Sequence, residues 1–86
     1  MAEFIPIQGD IQYVEPANTR DFQLEELQKF VGGYFELVRC PMHPQHVLVV
    51  DEEGLVKDKP VNVEASILAM ESIRGDALFC LKKQIR

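Results

Sequence analysis

The chain has no tryptophan, only two cysteines and two histidines, and few basic residues: nine Lys and Arg against fourteen Asp and Glu in 86 positions. Each shortage excludes something. A net charge of −5 denies the chain the dense cationic face that wrapping a phosphate backbone demands, which argues against general nucleic-acid binding. Cys40 and Cys80 are too few for a disulfide scaffold, and a reducing cytosol keeps them as thiols. No apolar run approaches the ~18 residues of a membrane span. MAEFIPIQGD has neither a basic leader region nor an apolar core of signal-peptide length. The expected setting is the cytoplasm, or the host cytoplasm if the gene is viral. Pro and Gly, five of each, are not in excess, and 47% of the residues are apolar, as in globular chains. At this length only ~60 to 65% of the unfolded surface is buried on folding, which supports one core and one domain over residues 1–86.

FIPI and DIQYVE read as two short strands separated by Gln8 and Gly9. Pro16 stops regular pairing. DFQLEELQKFVGG is the clearest helix: Leu24, Leu27, Phe30 and Val31 fall on one stripe, and Phe22 is placed to staple onto Leu27. Gly32 supplies the left-handed stop and Gly33 a sharp exit. YFELVR alternates as a strand, HVLVV is a further strand, DEEG is a solvated turn, and LVKD is a short strand pairing back. Asn62 caps a second helix, VEASILAMES, with Ala65, Leu68, Ala69 and Ser72 on its buried side, widened by Ile67 and Met70. ALFCLKKQI is apolar throughout its first half, the pattern of a central strand covered on both faces. Cys80, inside it, is a buried small side chain.

This order predicts an α+β fold: a two-layer sandwich with a mainly antiparallel sheet of five to six strands and both helices on one face.

LEELQKFVGGYFELV, then VLVVDEEGLVKDKPVN, then GDA ahead of an apolar strand, resemble a family of small domains of unknown function encoded by phages, archaeal viruses and mobile elements. The resemblance runs from about Phe4 to Leu81. CPMHPQ is not part of that pattern, and Gln23 stands where a serine-like helix cap is common. The resemblance implies a viral or mobile-element setting and no catalytic residues.

CPMHPQH gathers Cys40, Met42, His43 and His46 between two strands. Its CPMHP segment is similar to one in heavy-metal efflux and resistance proteins. Thiolate, thioether and imidazole suit Cu(I) or Zn, and Cys40, His43 and His46, with Asp51 as a further donor, are the candidate ligands. The competing reading is a hairpin connection stiffened by Pro41 and Pro44. Cys40 with His43 is also a candidate nucleophile and base, although no orienting third group or oxyanion hole is visible. VGGY places its glycines before a strand, the reverse of a phosphate cradle. Arg74–Asp76 resembles an adhesion tripeptide and reads as a turn.

The leading functional expectation is a non-enzymatic phage or mobile-element binding protein, a compact homo-oligomer that acts in counter-defence by sequestering a host protein or a small nucleotide-derived signal. For the signal, Arg39, Arg74 and Lys82 would meet phosphate, and Tyr13 or Tyr34 would stack on the base. No cofactor is expected. The alternatives are a soft-metal binder using the Cys40, His43 and His46 loop, and a small cysteine-dependent enzyme.

Overall fold

Strand pairing is decided by which segments have apolar residues on both faces. Ala77, Leu78 and Cys80 are all buried, as is every residue from Val47 to Val50, so these two segments must lie inside the sheet. The computed structural model describes residues 2–85. It runs β1 (Ala2–Ile5), β2 (Gln12–Val14), α1 (Leu24–Val31), β3 (Phe35–Arg39), β4 (His46–Asp51), α2 (Val63–Ala69) and β5 (Ala77–Leu81), followed by a 3-10 turn over Lys82–Gln84. The sheet order is β2-β1-β5-β4-β3 with every pairing antiparallel. An α+β fold on a five-stranded antiparallel sheet with β5 at its centre is therefore what the chain adopts. LVKD forms no strand: residues 52–58 are successive turns. β5 also stops at Leu81 and does not continue to Ile85.

The two helices do not share a face. Side chains alternate along a strand, and the two apolar clusters divide by that parity. Leu27 and Val31 of α1 pack with Val47, Val49, Leu78 and Cys80. Ala65 and Ala69 of α2 pack with Leu48, Val50 and Ala77 on the other side. Both helices were expected on one face; each covers its own because both central strands are apolar on both faces.

On the α1 side, Phe22, Leu27 and Val31 are buried, each stabilising by roughly 1.5–3 kcal/mol relative to exposure. Leu24 is exposed and leaves the expected stripe. The Phe22 N–H donates to the Gln84 carbonyl at 2.6 Å, which ties the entry of α1 to the turn after β5. Gly32 ends the helix in the left-handed region at φ 84°, its N–H donating to the Gln28 carbonyl at 2.8 Å.

On the α2 side the organiser is Asn62. Its Oδ1 accepts from the Ala65 N–H at 3.1 Å, and its Nδ2 donates to the carbonyls of Ile5 at 2.8 Å and Gly75 at 3.0 Å. One buried amide therefore caps α2 and fastens it to the end of β1 and to the turn that leads into β5. Among the described residues no helix is long and apolar enough to cross a membrane.

Candidate docking site

The short helix α2 reads VEASILA, with a single charged residue, Glu64. A helix without a polar face is ordinarily enclosed on all sides. Here only Ala65, Ala69 and the partly buried Leu68 meet the sheet. Ile67 and Met70, expected to widen the buried face, point outward at 65% and 66% exposure, and with Val63, also 66% exposed, they form an i, i+4, i+7 stripe. Alanine explains the difference: the small side chains at 65 and 69 make only a narrow contact with the sheet, leaving bulkier neighbours outside.

Met70 adds a second peculiarity. It ends α2 in the left-handed region at φ 57°, ψ 34°. Where a helix ends in that conformation the residue is usually glycine, because a Cβ costs energy there. An exposed, apolar, strained methionine contributes little to folding. Glu64 and Glu71 lie beside the stripe and are exposed, and beyond the end of α2 a crevice is lined by Glu36, Glu52, Glu71, Leu55 and Arg74. The surface is thus apolar with an acidic rim.

The CPMHPQH segment is built as two successive turns, the His43 N–H donating to the Cys40 carbonyl at 2.8 Å and the His46 N–H to the His43 carbonyl at 2.9 Å. These turns bring the two imidazoles onto Phe79. His46 stacks on that ring at 4.6 Å and 8°, while His43 meets it edge-on at 5.5 Å; the imidazole centroids are 5.9 Å apart. Cys40 shares that face of the sheet with Phe79 but is enclosed. It is 2% exposed, packed with Ile5, Leu48, Val50, Ala65 and Ala77 beneath α2. Burial pushes its thiol pKa up, and burial, with Cys40 as a second cause, pushes that of Cys80 up to about 12.

Three of the expectations for this segment are thereby corrected. Cys40 is a core residue and not part of the exposed hairpin connection. It does not gather with His43 and His46 into a set of ligands. Asp51 lies at the far end of β4 from His46 and on the α1 side, where Lys57 and Lys59 hold it, so DEEG is not a wholly solvated turn. Among the described residues no group of three or more His, Cys, Asp or Glu side chains is disposed to hold a metal ion.

The residues proposed to meet a nucleotide are distributed over the chain. Arg39 closes β3 opposite Val47, and Lys82 follows β5 with its N–H donating to the Gln45 carbonyl at 2.9 Å, so both lie toward one end of the sheet. Tyr34 and Arg74 lie toward the other end. Tyr34 is exposed, its carbonyl accepting from the Glu52 N–H at 3.1 Å. Arg74 is occupied structurally: its Nη1 donates to the Lys59 carbonyl at 3.0 Å and lies 3.7 Å from an Asp58 carboxylate oxygen. Tyr13 is exposed on the edge strand β2, opposite Glu3. Within one chain these five do not form a pocket.

Comparison with protein families gives one decisive result: the model of a domain of unknown function, DUF3846, matches residues 2–84. The chain belongs to that family. Searches of curated proteins and of solved structures find no match for it. In this family member the outward face of α2 was not singled out from the sequence. The available signal was the composition of VEASILA, too apolar for a helix half in water.

Proposed function

We propose that this chain is a non-enzymatic binding protein that docks a partner protein on the outward face of α2. The observation that carries the reading is the Val63, Ile67, Met70 stripe on a helix whose opposite side is already satisfied by the sheet. Partner chemistry follows from the rim. An apolar stripe beside Glu64 and Glu71 is complementary to an amphipathic helix with basic residues along its flank. A second copy of α2 suits it less well, because antiparallel two-fold packing would gather the glutamates of both helices on one side.

The viral or mobile-element setting implied by the resemblance makes a host factor the partner class, and sequestration in counter-defence the purpose. Binding is favoured over cysteine chemistry because the Cys40 thiol is enclosed and its thiolate disfavoured, whereas a nucleophile needs access and a lowered pKa.

The test is direct binding, by calorimetry, of a synthetic leucine–lysine amphipathic helix and of its leucine–glutamate counterpart. The lysine peptide is expected to bind and the glutamate peptide to bind at least about tenfold more weakly. Ile67→Glu should abolish the interaction, while Tyr13→Ala, on a distant edge strand, should leave it unchanged. Equal binding of both peptides, or binding indifferent to Ile67→Glu in a folded variant, overturns the reading.

A further inference from the structure

Sheets end in edge strands, and an edge with unpaired amides invites another chain unless something guards it. The two edges here are unlike. β2 has only three residues, and Pro16 follows it two positions later. β3 has five residues in unbroken register with β4, from Phe35 opposite Asp51 to Arg39 opposite Val47, with no proline, lysine or bulge.

The bonding direction along β3 follows from one contact. The Tyr34 carbonyl accepts from the Glu52 N–H, so position 34 faces β4. In an antiparallel ladder the bonding direction alternates, so Glu36 and Val38 also bond inward, and Phe35, Leu37 and Arg39 direct their N–H and C=O groups away from the sheet. Leu37 is also 49% exposed at the middle of this edge.

We propose that a second copy of the chain docks on β3, antiparallel and related by a two-fold axis at Leu37, to make one continuous sheet. The occupant is argued from the register. Centred on Leu37, Phe35 faces the partner's Arg39, Leu37 faces the partner's Leu37, and Arg39 faces the partner's Phe35. Each outward-bonding residue then meets an outward-bonding residue, so all of their amides are satisfied. Each guanidinium lies beside a ring and each Glu36 beside a valine, so no like charges are opposed. A shift that centres on Glu36 places two glutamates opposite each other. Centring on Val38 sets Phe35 against the partner's Pro41, which has no N–H. The strand is thus self-complementary in a single register. This association uses a strand edge and not the outward stripe of α2, so it stands apart from the partner-binding reading and leaves that stripe free in both copies.

The experiment is sedimentation equilibrium on the intact chain, combined with cysteine cross-linking under mild oxidation. Wild type is expected to sediment at twice the chain mass. Leu37→Pro and Leu37→Lys are expected to sediment at the single mass with an unchanged circular dichroism spectrum, because the lost N–H bonds nothing within the chain. Leu37→Cys is expected to form an intermolecular disulfide, since a residue on the axis meets its own copy, and Glu36→Cys and Val38→Cys are not. A monomeric wild type throughout the accessible concentration range overturns the proposal. So does a dimer that persists in both Leu37 variants, or a disulfide at 36 or 38 in place of 37.

Discussion

Lys59 Nζ lies 2.6 Å from Asp51 Oδ2, joining the segment that leads into α2 to the end of β4. The same ammonium donates to the Val31 carbonyl at the end of α1, at 3.0 Å. Lys57 reaches the same carboxylate oxygen at 3.0 Å, and the Glu53 N–H donates to Oδ1 at 2.8 Å. The Asp51 side chain has no exposure to solvent. Gly33 leaves room for Lys57, since a Cβ there would lie 3.0 Å from Lys57 Nζ. One carboxylate thus links β4, α1 and the turns that lead to α2.

Replacing Asp51 by Asn keeps the shape and removes the charge. Breaking a buried pair by deleting one partner typically costs ~3–5 kcal/mol. Both lysines retain partial access to water, so the expected loss is toward or below the lower end, about 2–3 kcal/mol. Urea denaturation of Asp51→Asn against wild type measures it. A difference within ±0.5 kcal/mol, the range of an ordinary surface substitution, would mean the clamp is ornamental.

Acid should reveal the same contact. Burial raises the Asp51 pKa, but hydrogen bonds from Lys59, from the Glu53 N–H and from Lys57 outweigh it and hold the carboxyl at about 2, below the ordinary 3.8. A pKa depressed in the folded state gives stability that is present above the unfolded value and lost as pH falls toward the folded one. The contribution is therefore constant above about pH 5 and declines from about pH 4 to 2. Tm measured against pH should fall more steeply in that window for wild type than for Asp51→Asn, and parallel curves would refute the assignment.

What the sequence disclosed was local chemistry. Gly32 as a helix stop, Asn62 as a cap and the central position of ALFCL all follow from near neighbours and hold in the fold. What it concealed was decided across the sheet. Val47 to Val50 and Ala77 to Cys80 are apolar at every position, so alternation could not say which helix covers which face. Strand parity held one unused clue: Cys40 lies two residues beyond Val38, on the face that packs beneath α2. The burial of Asp51 depends on lysines six and eight positions later folding back, which no periodic pattern announces. The candidate site was hidden differently: the apolar excess of VEASILA was read as core when part of it is surface.

Asn62 offers a test in which two local rules disagree. Aspartate caps helices as well as asparagine does, so Asn62→Asp keeps the acceptor for the Ala65 N–H. It loses the donors to the Ile5 and Gly75 carbonyls and sets a buried charge against them. The expected result at neutral pH is a loss of at least about 2 kcal/mol despite an intact cap. Chemical denaturation decides, and a near-neutral effect would show that capping alone explains Asn62.

Met70 should show opposed effects on stability and binding. Glycine relieves the left-handed strain, and relaxing such a position is expected to add about 0.5–1 kcal/mol, since the residue lies beyond the last helical turn. The same change removes one third of the outward stripe. Met70→Gly is therefore expected to melt higher and to bind the leucine–lysine helix several-fold more weakly. A variant that is both more stable and unimpaired in binding would exclude Met70 from the docking surface.

Cys40→Ser separates a core residue from a loop-tip donor. A hydroxyl placed among Ile5, Leu48, Val50, Ala65 and Ala77 has few polar partners, and burying one without compensation costs roughly 1–3 kcal/mol. A solvated loop position would lose almost nothing. The native thiols should also resist modification: burial raises the pKa of both Cys40 and Cys80, so alkylation at pH 8 is expected to proceed only through unfolding and to accelerate sharply in urea. If metal uptake occurs at all it must then fall to His43 and His46, the imidazoles gathered on Phe79, and persist in a folded Cys40→Ser. Rapid native alkylation of Cys40, or loss of Cu(I) or Zn uptake in that variant, would return the thiol to the surface and with it the metal reading of this loop.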